Sequence, residues 1–312
     1  MLRRVADHLF WGSRYLERTQ WRARLVDVNY HLILEVPPRD TDPWEPLLGI
    51  TAEREVFARR YARADEASVV NFFTFDRDNP SSIANCIEAV RLNLSSIRHL
   101  ISSELWLEVN RLYLKMREWS PQQLAAVGVS SFFADLRESF YAIMGVIDTT
   151  MRRDVAYDFI EMGTMLERAD NIARLLDVKY HYLLPRIEDV GGSSDIRQWA
   201  AVLRSASALE AFRQIYGNSI RVDRVVEMLV FDPAFPRSAR FTAERLAAAL
   251  ERVASGGAEK GPHTIAEGLT TMLAGRSAGA IIANGLHEFL LSMENQCSLI
   301  ANSVMHEYMS LG

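Results

Sequence analysis

Three polar side chains recur at a spacing that could do chemistry. Glu17, Arg24 and His31 follow one another at intervals of seven, and Glu167, Arg174 and His181 repeat the series 150 residues later. On a helix a seven-residue step returns close to the same face. Val5, Leu9, Leu16, Ala23 and Tyr30 flank the first series on one side, and Phe10, Trp21, Leu25 and Val28 on the other. The Glu, Arg and His thus form a polar strip inside an apolar face, with Asp27 beside it in the first copy and Asp170 and Asp177 in the second. A buried charge left unpaired costs on the order of several kcal/mol, so these groups must pair or line a wet cavity. Two readings follow. One is a Glu-Arg network that fixes helix register. The other is a cleft for a ligand carrying carboxylate and amine groups, since Arg grips a carboxylate bidentately and Glu pairs an ammonium. In the second reading Glu17 and Glu167 are the candidate catalytic residues, each a general base with a pKa raised by desolvation. Arg24, His31, Arg174, His181, Asp170 and Asp177 are then the ligand-binding candidates. Arg18 and Arg168, adjacent to the two glutamates, fall toward water or a helix edge on the same projection.

Two further patterns need placing. Asp27 and His31, like Asp177 and His181, stand four apart and could share a metal ion. The Glu-x-x-His spacing of helical di-metal proteins is missing, so a plain Asp-His contact is the commoner outcome and no metal ligand is assigned. Arg98 and Glu104, with Ser102, Ser103, Trp106 and Asn110, sketch a polar helix face in the first half. Arg204, with Trp199 and Glu210, occupies the corresponding part of the second. Arg98, Glu104 and Arg204 join the ligand-binding candidates, although a solvated face explains the first group equally simply.

The elements that must position these residues are helical. Apolar residues recur at helical spacing over 3–33, 46–73, 82–118, 121–150, 152–184, 195–216, 221–230, 238–255 and 264–309, and no segment reads as a strand. Punctuation supports the divisions: Pro37-Pro38-Arg39-Asp40 ends the first helix, and Ser120-Pro121 supplies an N-cap and an N1 proline. Gly191-Gly192-Ser193-Ser194 separates two helices, and Gly256-Gly257 with Gly261-Pro262 marks a loop. Residues 1–31 align with 151–181 without a gap and agree at 14 of the 31 positions. Val69-Val70, Phe75-Asp76, Pro80 and Ser82 return 156 residues later as Val225-Val226, Phe231-Asp232, Pro236 and Ser238, a pattern that reads as helix stop, turn and new N-cap. The expected architecture is all-α: an internally duplicated helical bundle of halves 1–150 and 151–312, related by a pseudo-two-fold axis and packed as one domain.

Composition narrows the function classes. The chain has 312 residues, 49% hydrophobic and 24% charged, with a formal net charge of −5. That balance gives no bulk attraction to nucleic acid or an anionic membrane. Neither a secretory signal nor an uncharged 18-residue span is evident, so a cytoplasmic setting is expected. Cys86 and Cys297 read as reduced core thiols. Gly-rich phosphate loops, the nucleophile elbow, H-E-x-x-H and C-x-x-C are all missing, and no cofactor is assigned.

The twice-given Leu-Glu-Arg helix, with Ala-Arg-Leu-x-Asp-Val five residues on, resembles the bacterial alpha-E family, named for a helical domain with a Glu-Arg motif. The resemblance extends to Val5-Ala6-Asp7, Ile101-Ser102-Ser103-Glu104-x-Trp106, Met151-x-Arg153-Asp154, Leu203-Arg204-Ser205 and Pro236-Arg237-Ser238. The first copy departs at Thr19-Gln20-Trp21, where the second has Ala169-Asp170-Asn171, so the two halves are not expected to be equivalent. What the resemblance implies is a partnership with an ATP-grasp ligase and a transglutaminase-like protein in making or modifying a small peptide. This chain would then serve either as an enzyme that binds an amino-acid or peptide ligand or as an accessory, a non-catalytic helical partner or scaffold of the ligase.

Overall fold

The computed structural model describes residues 2–35, 42–182, 192–255 and 261–309, with backbone alone for 179–182. Among the described residues every regular element is helical. The longest are α1 (Arg3–Glu35), α2 (Ile83–Ser96), α3 (Ser103–Glu118), α4 (Val129–Thr150), α5 (Val155–Tyr182), α6 (Ser193–Ser205), α7 (Ala239–Ser255), α8 (Gly261–Leu273) and α9 (Leu286–Tyr308).

The two helices that carry the repeated motif, α1 and α5, make the most extensive helix pairing among the described residues. Around them the packing runs in parallel: α1 lies on α2 and α4 while α5 lies on α7 and α9, and α2–α3–α4 contact in sequence as do α7–α8–α9. Local devices run in parallel too. Asp76 and Asp232 each accept from a backbone N–H two residues on, and Ser82 and Ser238 each cap the helix that follows. This bears out helix stop, turn and new N-cap at both places. Ser120 caps a short helix ended by Gly128, after which α4 begins; Ser277 caps a short helix ended by Gly285, after which α9 begins. Both glycines hold positive φ, +98° and +114°, which a side chain would strain.

One glycine sets the central contact. At Gly163 of α5 an added Cβ would collide with the Phe10 carbonyl and the Ser13 hydroxyl of α1. The absence of a side chain there lets the two backbones approach closely. The flanking apolar positions, Leu9, Phe10, Leu16, Leu166, Ala169 and Ala173, are all within 5% of full burial.

The structure breaks several helices that periodicity joins. Residues 46–73 hold three short helices, α2 and α3 are separated by a 3-10 turn at Arg98–Leu100, and 195–216 divides after Ser205. The 221–230 segment ends in a π-helical turn, Glu227–Phe231. Gly261 and Pro262 lie inside the first turn of α8 and not in a loop, a position where proline's missing N–H costs nothing. The expected breaks at Pro37–Asp40, Gly191 and Gly256-Gly257 lie outside the described residues.

Candidate functional site

Each motif glutamate is locked by arginines from elsewhere in the chain. Glu17 is 2% exposed. Its Oε1 accepts from Arg168 Nε at 3.1 Å and Arg237 Nη1 at 2.8 Å, and its Oε2 from Arg168 Nη2 at 2.8 Å. Glu167 is 3% exposed. Its Oε1 accepts from Arg18 Nε at 2.6 Å, and its Oε2 from Arg18 Nη2 at 3.0 Å and Arg14 Nε at 2.9 Å. The glutamates of Leu16-Glu17-Arg18 and Leu166-Glu167-Arg168 are therefore each gripped bidentately by the arginine of the other triplet across the α1–α5 seam.

This geometry corrects two expectations. Arg18 and Arg168 do not face water. Their side chains reach sideways along the seam, which a projection of one helix cannot register, and they form the bidentate contacts to the two glutamates. Nor are the glutamates bases of raised pKa. Burial pushes the Glu17 carboxyl up, but Arg168 and Arg237 outweigh it and hold the pKa at about 2. Glu167 is lowered as well, burial being overcome by Arg18 and Arg14. Arg237, largely buried, is depressed to about 10 by burial together with the like charges of Arg168 and Arg24, against the pull of Glu17.

The second glutamate lies at the wall of a cleft of about 550 Å³ between α1, α5 and α9. Arg14, Arg18, Arg22 and Arg174 line it, with Glu53, Glu167 and Asp170. Arg22 donates to Glu53 at 2.8 Å, and Arg174 holds Asp170 through Nε at 2.8 Å and reaches Glu294 at 3.3 Å. Trp21 and Asn171, which occupy matching positions of the repeat, both line this cleft, and Trp21 Nε1, Asn171 Nδ2 and Arg22 Nε have no hydrogen-bond partner among the described residues. Ser81 also lines the cleft. In the 156-residue match Ser81 falls where the second half has Arg237. Around Glu17 that place is filled by the guanidinium, which also donates to Gln20 at 3.0 Å; around Glu167 it is open.

The remaining candidates divide. Arg24, His31 and Arg204 line a second cavity of about 440 Å³, together with Asp27, Arg137 and Tyr141. His31 is half exposed, 3.6 Å from Asp27 and 3.0 Å from the Ser130 hydroxyl. Asp27 is held by Arg137 at 3.1 Å, and Arg204 lies 3.4 Å from Glu35. The expected strip is thus divided, because Arg24 and Arg174 contact neither Glu17 nor Glu167. Asp177 meets His287 of α9 at 2.5 Å, while the His181 side chain lies outside the described residues. Arg98 stacks 4.7 Å above the Trp106 ring and exposed Glu104 accepts from Ser103, and neither residue lines either cavity. Among the described residues no group of three or more His, Cys, Asp and Glu is arranged to hold a metal ion. Reading single helices missed Arg14, Arg237 and Glu294. The last has its carboxyl raised by burial and by Asp170 and Asp177, against Arg174. The Pro-Arg-Ser triplet at 236–238 was the one available signal for Arg237.

No solved structure matches the chain. It is 25% identical over 288 residues to the uncharacterized protein Rv2567 of Mycobacterium tuberculosis and, equally, to the uncharacterized protein Mb2597 of Mycobacterium bovis. Each alignment covers 86% of this chain and 32% of the relative, so the chain spans about a third of the length of the curated relatives it matches. A family model described as a predicted alpha-helical domain with a conserved ER motif matches residues 1–309, nearly the whole chain: the chain belongs to the Alpha-E family.

Proposed function

We propose that this Alpha-E protein binds an amino-acid or peptide ligand in the cleft beside Glu167 and works with an ATP-grasp ligase in making or modifying a small peptide. The observation that carries the reading is the cleft itself: four arginines and three carboxylates around about 550 Å³, left open where Ser81 stands in place of an arginine. Opposed fixed charges suit a ligand that carries carboxylate and ammonium groups. The unpaired donors on Trp21, Asn171 and Arg22 favour one rich in carbonyl or carboxylate acceptors, since a buried donor without a partner costs about 1–3 kcal/mol. Glu167 then acts as a positioning residue that fixes Arg14 and Arg18 at the wall. Glu17, closed off by Arg168 and Arg237, is part of the frame.

The reciprocal Glu-Arg clamps and the parallel helix packing also favour two halves, 1–150 and 151–312, related by a pseudo-two-fold axis and forming one domain. Relatives three times as long are consistent with a helical module that operates beside others. Buried free thiols at Cys86 and Cys297 suit a reducing, cytoplasmic setting.

The second reading, a helical partner that only docks on the ligase, draws on the fact that both motif glutamates are saturated within the protein. Ser81→Arg separates the two. Free l-amino acids and dipeptides are titrated calorimetrically into wild-type and variant protein, with circular dichroism to verify the fold. At least one probe binds the wild type, and the variant, its cleft filled as Arg237 fills the other half, loses that binding. Binding that survives the substitution, or an entire probe set that fails to bind, leaves the docking reading.

A further inference from the structure

The second cavity, on the far side of α1, carries an inference independent of the cleft reading. Arginines on α1 and α5 use one recurring grip. Arg18 and Arg168 each present Nε and Nη2 side by side to the two oxygens of a carboxylate, and Arg174 does the same to Asp170, at 2.8 and 3.3 Å. Arg24 is the counterpart of Arg174 in the first copy, yet its fork has no carboxylate. The residue four before Arg174 is Asp170, and the residue four before Arg24 is Gln20, whose oxygen is taken by Arg237. Among the described residues Arg24 keeps only the Tyr141 phenol, 3.1 Å from Nη2, and its Nε is buried without a partner.

The surroundings match this deficit. Two of the nearby carboxylates are engaged, Asp27 through Oδ2 by Arg137 at 3.1 Å and Glu35 by Arg204 at 3.4 Å. Across the cavity from α1, Ser207 lines the wall with a hydroxyl that is buried and unpartnered, on a backbone held at φ +56° without being glycine. That left-handed backbone closes the helix Ser193–Ser205, with the Ala208 N–H donating to the Leu203 carbonyl at 2.7 Å, and so fixes Ser207 at the cavity wall. Burial alone would raise the Tyr141 phenol, but hydrogen bonding from Arg24 and the charges of Arg24, Arg237 and Arg137 lower it, so the potential at the mouth of the cavity favours an anion.

We propose that this cavity is a binding site for a small carboxylate-bearing molecule, whose carboxyl takes at Arg24 the place that Asp170 takes at Arg174, with the Ser207 hydroxyl as a further contact. Binding displaces the half-exposed Tyr141 phenol from Nη2. A carboxylate fits better than a phosphate dianion because Asp27, Glu35 and Glu210 also border the cavity and repel a second negative charge.

The test is a titration of isotope-labelled protein with sodium acetate, and separately with sodium phosphate, at ionic strength held constant with chloride. Acetate moves the Ser207 amide and Arg24 Nε–H signals to saturation at millimolar concentration. Arg24→Gln weakens that response at least tenfold, as does Arg24→Lys, which keeps the charge and loses the fork. Gln20→Asp, which supplies an internal carboxylate four residues before Arg24, weakens it also while retaining Arg24. Ser81→Arg, which fills the other cleft, leaves it unchanged. Shifts that stay linear in acetate, a response that survives both Arg24 substitutions, or saturation by phosphate in preference to acetate would each overturn the proposal.

Discussion

The central chemistry is two carboxylates shared among four guanidiniums, Arg168 and Arg237 on Glu17 and Arg18 and Arg14 on Glu167. Each clamp keeps a surplus positive charge, so the two partners are not interchangeable. Removing the acid from a buried clamp leaves two enclosed cations facing each other, whereas removing Arg237 still leaves Glu17 gripped by Arg168. Glu17→Gln is therefore expected to cost about 3–5 kcal/mol and Arg237→Met clearly less, as urea unfolding of the two variants would measure. The pH dependence follows from the same pairs. Both carboxyls titrate lower in the folded protein than their ordinary 4.5, Glu17 at about 2. The stability they add is complete above the unfolded value and drains away as pH falls from there through the folded one. Thermal midpoints should hold level near neutrality and drop below about pH 4.5, and the Glu17→Gln variant should lack its share of that drop. A midpoint that climbs on acidification would contradict the clamp. The burial of Glu17 and Glu167 was legible in the sequence, because apolar residues flank them on both sides. Their partners were not. A long side chain such as Arg18 pairs according to what lies across the helix seam, and Arg237 arrives from 220 residues away along the chain.

At the scale of elements, two glycines that look alike in sequence do different work. Gly163 is helical and sits against the Phe10 backbone of α1; Gly128 holds φ +98° in open space. Gly163→Ala must separate α1 from α5, and overpacking of that kind costs about 1–3 kcal/mol, toward the upper end here because a backbone carbonyl cannot swing aside. Gly128→Ala meets no atom and carries backbone strain alone, about 1–3 kcal/mol for a residue forced into a sparsely populated region. Denaturant titration should rank Gly163→Ala as the more destabilising, and only that variant should also disturb the Glu17 and Glu167 clamps, visible as changed Arg Nε–H signals. Periodicity found the long helices and their buried faces. It ran across Gly128 and Gly285, because a glycine inside a helical pattern declares its φ only when the chain has folded.

At the scale of the whole molecule, the clamps tie the two sequence halves into one unit. Glu17 from the first half is held by Arg168 and Arg237 of the second, and Glu167 of the second by Arg14 and Arg18 of the first. The face of α1 that meets α5 forms the most extensive helix pairing among the described residues. A half on its own would expose that face and leave either one carboxylate or two guanidiniums of each clamp unpaired in a partly apolar setting, a cost that a unit of about half the chain does not recover. The full chain should therefore unfold in one cooperative transition, with calorimetric and van't Hoff enthalpies in agreement. Residues 1–150 and 151–312 produced separately should each lack a sharp transition, and mixing or co-expressing them should restore one. If the first fragment alone melts cooperatively at the temperature of the whole, the halves are independent domains, and the Leu-Glu-Arg pairing is a contact between finished units and not the joint on which both depend.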